Sequence, residues 1–158
     1  QIRLVLTDGL AGLEDVVPSV TDISICGMGG ELIARILSDA PFVKNPDIRL
    51  ILQPMTMQPV LRRWLGENGF AVERERLCTA NGKLYSVLCC HYTAENYVPE
   101  QPLLGDALLS DPDNKELLPR YLKINIERLS RIVAGRTSAG VECAEERAAL
   151  ALAEQMLK

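Results

Sequence analysis

Three glycines within four positions follow a short apolar run and are the most suggestive chemical feature of the sequence. Residues 22–26 predict a buried strand, and Gly27, Gly29 and Gly30 come directly after it. Glycine has no side chain, so a backbone rich in it can turn tightly and approach a ligand closely. Because ligands of open α/β sheets bind beyond the carboxyl ends of parallel strands, the cluster indicates one wall of a small-molecule site. The alternative is a tight strand-to-helix turn without a ligand.

The glycine spacing fails the tests for common nucleotide-binding loops. A dinucleotide-binding loop needs a third glycine where Leu32 stands, and an acidic residue is expected at the end of the next strand, where the chain has Gln53. No Gly-Lys-Ser/Thr triplet follows, which excludes a P-loop. The single histidine, His91, lies late in another apolar run, so Ser-His-Asp and Cys-His catalysis are disfavoured as well.

Polar residues also follow two other predicted strands. Asp8 comes after the apolar residues 2–6, where it could close an Asx turn or accept a hydrogen bond from a ligand amine. Gln53 comes after residues 48–52 and could be a plain strand-end residue or an amide that pairs with the edge of a nucleobase. Cys26 precedes the glycines without an evident basic partner, so we expect a small buried side chain.

Alternating strands and helices must position these residues. Apolar periodicity predicts parallel strands at 2–6, 22–26 and 48–52 and helices at 30–38 and about 57–68. Thr56 is the expected N-cap of the second helix. Asn81-Gly82 is typical of a tight turn between antiparallel strands, here 70–79 and 83–92. The charged first arm of this hairpin should form the sheet edge, with the apolar second arm between it and the parallel strands.

The C-terminal part is predicted to be helical. Residues 93–113 resemble a linker with a short helix at about 102–109, and longer helical patterns cover about 114–134 and 141–157. Apolar residues with one polar position predict a short coiled-coil seam between these two helices: Leu118, Leu122, Asn125, Leu129 and Ile132. We therefore expect an α/β domain at 1–97 and a helical hairpin at 98–158.

The first long helix is basic, with six Lys or Arg against two Glu between residues 114 and 136. Lys123, Arg128 and Arg131 are the candidates for binding RNA phosphates, which would add affinity without sequence selectivity. The second helix is acidic, so the two helices could instead simply pair their charges.

The composition limits the class of protein to which the chain can belong. The chain has 158 residues, 47% of them hydrophobic, and a net charge of −4, which excludes a uniformly basic nucleic-acid coat. No apolar run is long enough for a membrane span, and the odd number of cysteines without a CxxC pair indicates reduced thiols, a cytoplasmic protein and no metal site.

Four segments together resemble the bacterial tRNA (adenine-22-N1)-methyltransferase (TrmK) family. They read TDISICGMGGELI at 21–33, LILQPM at 50–55, LRRWL at 61–65 and GKLY at 82–85. The resemblance covers almost the whole chain, because that family also carries a C-terminal coiled-coil hairpin. It implies a class I, Rossmann-like methyltransferase fold that uses S-adenosylmethionine (SAM) to methylate N1 of an adenine in tRNA.

The resemblance also implies roles for individual residues. Asp8, Gly9 and Leu10 would lie near the adenine of SAM, and the segment Cys26, Gly27, Met28 and Gly29 would lie near its methyl group. Gln53 and Pro54 would contact the substrate base.

The chain departs from the family at its beginning. Members start with a strand, an acidic glycine-containing loop and a second strand that ends in a ribose-binding acid, and by resemblance this chain begins at the third strand. We therefore expect a partial sheet that binds SAM poorly by itself and could self-associate through its incomplete edge. A SAM enzyme for another substrate, or a non-catalytic interaction module built on the helical hairpin, are the alternative functions.

Overall fold

A computed structural model describes residue 2 and residues 4–13 and 20–158. Its strands are β1 (Asp22–Gly29), β2 (Arg49–Thr56), β3 (Phe70–Ala80) and β4 (Lys83–Tyr92). They form a mixed sheet in the order β1-β2-β4-β3, with β1 parallel to β2 and the other neighbours antiparallel. The α/β class and the sheet that ends in an antiparallel hairpin are thereby confirmed.

The helices of the described residues are α1 (Gly30–Ser38), α2 (Gln58–Glu67), α3 (Asp106–Ser110), α4 (Leu118–Ser138) and α5 (Ala144–Met156). The prediction of a helix at about 30–38 is confirmed by α1. α4 begins later than predicted because Pro119 occupies its first turn, where a missing N–H costs little, and the preceding residues form the 3-10 turn Pro112–Asn114. No helix in this part of the chain is long and apolar enough to cross a membrane.

The β3–β4 hairpin follows the prediction closely. Asn81 and Gly82 adopt positive φ angles of 49° and 72°, as a tight turn between twisted strands requires. The charged arm β3 is the sheet edge, and the apolar arm β4 lies between β3 and β2. Because β4 runs antiparallel to β2, the hairpin tip lies at the same end of the sheet as the carboxyl ends of β1 and β2.

Two predictions about local structure are wrong. The apolar residues 2–6 form no strand where they are described, and Leu4 and Leu6 are fully exposed; Arg3 lies outside the described residues. An apolar run becomes a strand only where a partner strand is available, and none pairs with it among the described residues. Thr56 ends β2 and does not cap α2, since Met57 precedes that helix with a positive φ of 56°.

The buried apolar side chains form two clusters. One fills the space between the sheet and the helices α1 and α2, around Leu50, Leu52 and Leu61. The other lies between α4 and α5 and includes Leu129 and Ala153. The pairing of the two long helices is therefore confirmed, whereas a true coiled-coil geometry and a domain boundary after residue 97 remain predictions.

A buried ion pair connects α2 and β3 to the segment before α3. Arg62 is 4% exposed and Glu75 is 1% exposed. The guanidinium donates from Nε to Glu75 Oε2 at 3.0 Å, from Nη2 to Glu75 Oε1 at 2.5 Å and from Nη1 to the Pro102 carbonyl at 2.8 Å. Burial opposes the charge, but the attraction of the Glu75 carboxylate outweighs it and raises the pKa of Arg62. We call Arg62, Glu75 and the adjacent Gly105 the buried joint.

Candidate functional site

The glycine cluster forms a bend between β1 and α1. Gly27 has a φ of +79°, and a side chain there would meet nothing within 4 Å, so its backbone faces open space. Gly30 has the opposite surroundings, because a Cβ there would lie 2.3 Å from the carbonyl oxygen of Met57. The first glycine therefore serves the turn and leaves room for a ligand, and the last lets α1 begin against the start of α2.

Gln53 joins the two parallel strand ends. The backbone N–H of Gly27 donates to Gln53 Oε1 at 3.0 Å. The other side of the amide donates from Nε2 to the Pro54 carbonyl at 3.3 Å, and Gln58 Nε2 donates to the same carbonyl at 3.3 Å. The structure thus brings together Gln53, Pro54 and the glycine bend, with the Gln53 oxygen already engaged by Gly27.

Cys26 is exposed, so the expectation of a buried thiol is wrong. The strand alternates, with Ile23 and Ile25 facing the core and Ser24 and Cys26 facing away from it. Sγ of Cys26 lies 3.3 Å from Oγ of Ser24. Met28 is exposed as well, so the bend presents backbone and side chains on an open face.

The turn that contains Asp8, Gly9 and Leu10 lies beside α1. A Cβ at Gly9 would meet the Ile36 side chain at 3.1 Å, and Leu10 packs against the core of the sheet domain. Ile36 lies six residues after the first residue of α1, or about 9 Å along the helix axis. The structure therefore places this turn against the second half of α1, and the predicted contact of the three residues with a cofactor remains a prediction.

A groove of about 800 Å³ opens beside Pro54 and extends past the hairpin tip to α4. Its volume lies within the range of roughly 300–1,000 Å³ that is common for ligand sites. Apolar and aromatic side chains form most of its surface: Met55, Met57, Val60, Leu84, Tyr85, Tyr121 and Ile124. The groove thus begins at the carboxyl end of a parallel strand, where α/β proteins bind their ligands.

The charges around the groove all have one sign. Lys83, Arg120 and Arg128 line it together with Arg62, whose charge is paired with Glu75, and no Asp or Glu is among the described residues that line it. The chain as a whole has a net charge of −4. A cationic groove on an acidic protein attracts an anionic ligand by its local field.

Two of the lining arginines are held in place by neighbours. Arg120 donates from Nη2 to the carbonyl of Gly82 and so connects α4 to the hairpin tip. Arg128 donates from Nη2 to Asn125 Oδ1 at 2.9 Å. Burial lowers the pKa of Arg128, Tyr121 opposes that shift, and the nearby Arg62 adds to it.

The predicted RNA-binding residues separate in the structure. Arg128 lines the groove, whereas Lys123 and Arg131 do not line it in the part of the chain that the structure describes. Residues three and four apart share a helix face, so Arg120, Ile124, Arg128 and Arg131 follow one face of α4. Arg131 lies further along that face than the residues that line the groove.

Sequence reasoning missed most of the groove. Lys83 and Tyr85 were part of a recognised motif but were assigned no role, and Arg120 was counted only as one of six cations. Their signal was the hairpin turn, which brings the start of β4 to the carboxyl end of the parallel strands. His91 pairs with Arg49 at the beginning of β2 and hence lies at the opposite end, as expected of a structural residue. No cluster of potential metal ligands occurs among the described residues.

Comparisons with known proteins agree with this geometry. A family model described as tRNA (adenine(22)-N(1))-methyltransferase matches residues 1–156. The tRNA (adenine(22)-N(1))-methyltransferase of Bacillus subtilis (strain 168) is 40% identical over 78 residues, which are 49% of this chain and 33% of that protein. That alignment thus spans a third of the length of the curated relative.

Solved structures resemble nearly the whole chain. The Streptococcus pneumoniae protein Sp1610, a putative tRNA (m1A22) methyltransferase in complex with S-adenosyl-L-methionine, is 28% identical with a TM-score of 0.72. The match covers 98% of this chain and 67% of that one. A protein of the NADB-Rossmann superfamily from Streptococcus agalactiae has the same identity and coverage, 28%, 98% and 67%, with a TM-score of 0.70. The Rossmann-like character of the fold is thereby confirmed.

Proposed function

Because this chain belongs to the tRNA (adenine(22)-N(1))-methyltransferase family, we propose that it serves the transfer of a methyl group from SAM to N1 of an adenine in tRNA. The observation that carries the proposal is the groove that begins at the carboxyl end of β2 and presents the cations Lys83, Arg120 and Arg128 with no described carboxylate. Its charge suits the phosphates of RNA, and its apolar surface suits a nucleobase.

The glycine bend fits one side of a SAM site. The backbone at Gly27 faces open space, and the exposed segment from Cys26 to Met28 lies at the end of β1. Such a surface allows a ligand to lie directly against the backbone. SAM would supply an electrophilic methyl group there. The hydrogen bond from Gly27 to Gln53 would fix the bend relative to the substrate side.

Methyl transfer to adenine N1 needs no strong general base from the protein. Adenine N1 carries an in-plane lone pair and is itself the nucleophile, so the protein chiefly needs to bring N1 to about 3 Å from the methyl carbon and in line with the leaving sulfur. Positive charge then develops on the base. Pro54 lines the groove, and a strand-end carbonyl such as that of Pro54 would stabilise this charge by accepting a hydrogen bond from the adenine amine.

Gln53 is proposed to act on the substrate side through the strand end that it braces. Gln53→Ala should reduce methyl transfer more than it weakens SAM binding, because the Pro54 carbonyl and the bend lose their common brace. Gln53→Glu keeps an acceptor for the Gly27 N–H and is the matched control. Equal losses of transfer and SAM affinity in Gln53→Ala would remove Gln53 from this role.

The decisive experiment is a methyl-transfer assay with radiolabelled SAM and unmodified tRNA transcripts. Because this chain is expected to bind SAM poorly and to be inactive by itself, the assay uses a version extended at its N-terminus by the family's first SAM-binding strands. We expect that version to label a transcript with adenine at position 22 and not one with guanosine there. Equal labelling of both transcripts would favour a methyltransferase for another substrate. Binding of tRNA without any labelling would favour the non-catalytic interaction module.

The outer edge of β1 is the proposed site of self-association. In the described residues β1 pairs on one side only, with β2, and an open edge presents unpaired backbone groups to another strand. Light scattering over a range of protein concentrations would detect the association as a rise in mean mass.

We also propose a cytoplasmic location, in keeping with five free thiols.

A further inference from the structure

We propose that Tyr85 stacks on the target adenine after that base has left its helix, and that the groove therefore takes unpaired RNA. This inference rests on the proposed function and adds a positioning residue to it. Tyr85 lies on β4 at the hairpin tip and lines the groove together with Pro54. The β2–β4 pairing ends at Leu52 and Leu88, and beyond it Tyr85 and Met55 line the same groove.

The Tyr85 side chain stacks on no other ring and makes no hydroxyl hydrogen bond within the described structure. Trp64, Phe70 and Tyr92 stack on one another in the core, with ring centroids 5.6 Å and 5.3 Å apart. The hydroxyl of Tyr121 donates to the Leu104 carbonyl at 2.7 Å. Tyr85 has neither a ring partner nor a hydroxyl partner among the described residues. An aromatic side chain with a free face in a groove is the usual stacking platform for a single-stranded base.

Exposed apolar side chains line the same groove as this ring. Met55, Met57 and Ile124 line the groove and are 46%, 45% and 47% exposed. A groove that bound only the phosphates of an RNA duplex would need cations but no exposed apolar surface. The faces of paired bases are stacked inside the helix and cannot contact such a surface. Unstacked bases do present apolar faces, and methionine adapts its shape to them.

The position of N1 in adenine also requires that the target base be unpaired. N1 of adenine lies on the Watson–Crick edge and accepts a hydrogen bond from uracil in a base pair, so a paired adenine cannot offer this lone pair to a methyl group. The base must therefore be unpaired and turned into the site. Lys83 and Arg120, on either side of the hairpin tip, are placed to hold the flanking phosphates.

A double-mutant cycle between protein and RNA tests the stacking contact. Fluorescence anisotropy would measure the affinity of the wild-type chain, Tyr85→Leu and Tyr85→Phe for labelled tRNA with adenine or an abasic nucleotide at position 22. We expect loss of the base to weaken binding about fivefold or more in the wild type and in Tyr85→Phe. In Tyr85→Leu the same loss should have less than about a twofold effect, because the platform is already gone.

Controls separate this inference from the proposed function. Tyr97→Leu changes a tyrosine that does not line the groove and should behave as the wild type, and thermal unfolding would show that each variant is folded. An equal abasic effect in the wild type and Tyr85→Leu would overturn the stacking role even if tRNA is bound and methylated. A wild-type chain that binds neither RNA would overturn the proposed function and this inference together.

Discussion

The buried joint and the groove both depend on arginine, and they use it in opposite ways. In the joint, all three nitrogens of Arg62 donate to fixed acceptors on Glu75 and Pro102, with both charges out of water. In the groove, Arg128 donates from Nη2 alone, to Asn125 at 2.9 Å and to a carbonyl at 3.5 Å. An arginine whose donors are all engaged holds the structure together. An arginine that faces a groove with donors to spare is available for a ligand.

The largest effect is expected from breaking the joint. Glu75→Gln leaves the Arg62 guanidinium buried without its counter-charge, and such a loss destabilises proteins by about 3–5 kcal/mol. Urea unfolding followed by circular dichroism would measure the free energy of unfolding. The double variant Arg62→Met/Glu75→Leu removes both charges and should be more stable than Glu75→Gln. A double variant that is less stable than the single one would show that the pair contributes net stability.

Gly105→Ala should also weaken the joint. Gly105 has a φ of +95°, and a Cβ there would lie 2.8 Å from Glu75 Oε2 and 2.9 Å from Arg62 Cζ. We expect a loss of about 3 kcal/mol, from backbone strain and displacement of the ion pair together. Gly140→Ala is the matched control, because Gly140 also has a positive φ of +65° but open space around it. It should cost only about 1 kcal/mol, and equal losses would mean that strain alone matters.

Arg128→Gln should affect RNA binding and leave stability nearly unchanged. Loss of one phosphate contact should weaken tRNA binding by about tenfold at low salt and reduce the slope of log affinity against log salt by about 1. Lys123→Gln removes a charge from the same helix outside the groove and should alter the affinity by less than about twofold. If both variants lose affinity equally, tRNA follows the basic helix as a whole and the groove is not its specific site.

The fold could be predicted from local patterns wherever the deciding contacts are close in sequence. α1 and the β3–β4 hairpin follow from apolar periodicity and from the turn at Asn81 and Gly82. The apolar run at 2–6 has the composition of a strand, but pairing depends on a partner strand, which a local pattern cannot reveal. In the same way, no pattern around Thr56 shows that Met57 adopts a positive φ and displaces the expected cap.

The site could be predicted only in part for the same reason. Gln53, Pro54 and the glycines follow the predicted strands 48–52 and 22–26 directly, so their position at the carboxyl ends of β2 and β1 was foreseeable. The groove requires α4 to lie beside the hairpin tip, and the contact of Arg120 with Gly82 spans 38 residues. Helical periodicity shows which side chains share a face of α4, but it does not show which face lies against the sheet. Arg128 could therefore be selected from the six cations only once the packing of α4 was known.

The smallest expected effect lies at Tyr121, which lines the groove and lies beside Arg62 of the buried joint. Its ring lines the groove, and its hydroxyl donates to the Leu104 carbonyl at 2.7 Å. Tyr121→Phe removes that bond and should cost about 1 kcal/mol at neutral pH. Tyr85→Phe removes a hydroxyl with no partner among the described residues and is the control, with little change expected at neutral pH.

The cost of Tyr121→Phe should depend on pH in a defined direction. Burial raises the pKa of Tyr121 above its usual 10.0, against the opposing effect of Arg62. Below pH 10 the phenol is protonated in both states and the wild type keeps its full stability. As the pH rises further, the unfolded phenol ionises first, so the wild type loses stability that the phenylalanine variant cannot lose. The difference between the two should therefore shrink between neutral pH and about pH 10.5 in urea unfolding. A constant difference would mean that Tyr121 reaches water as freely in the folded protein as in the unfolded chain, and that it belongs to the open groove rather than to the joint.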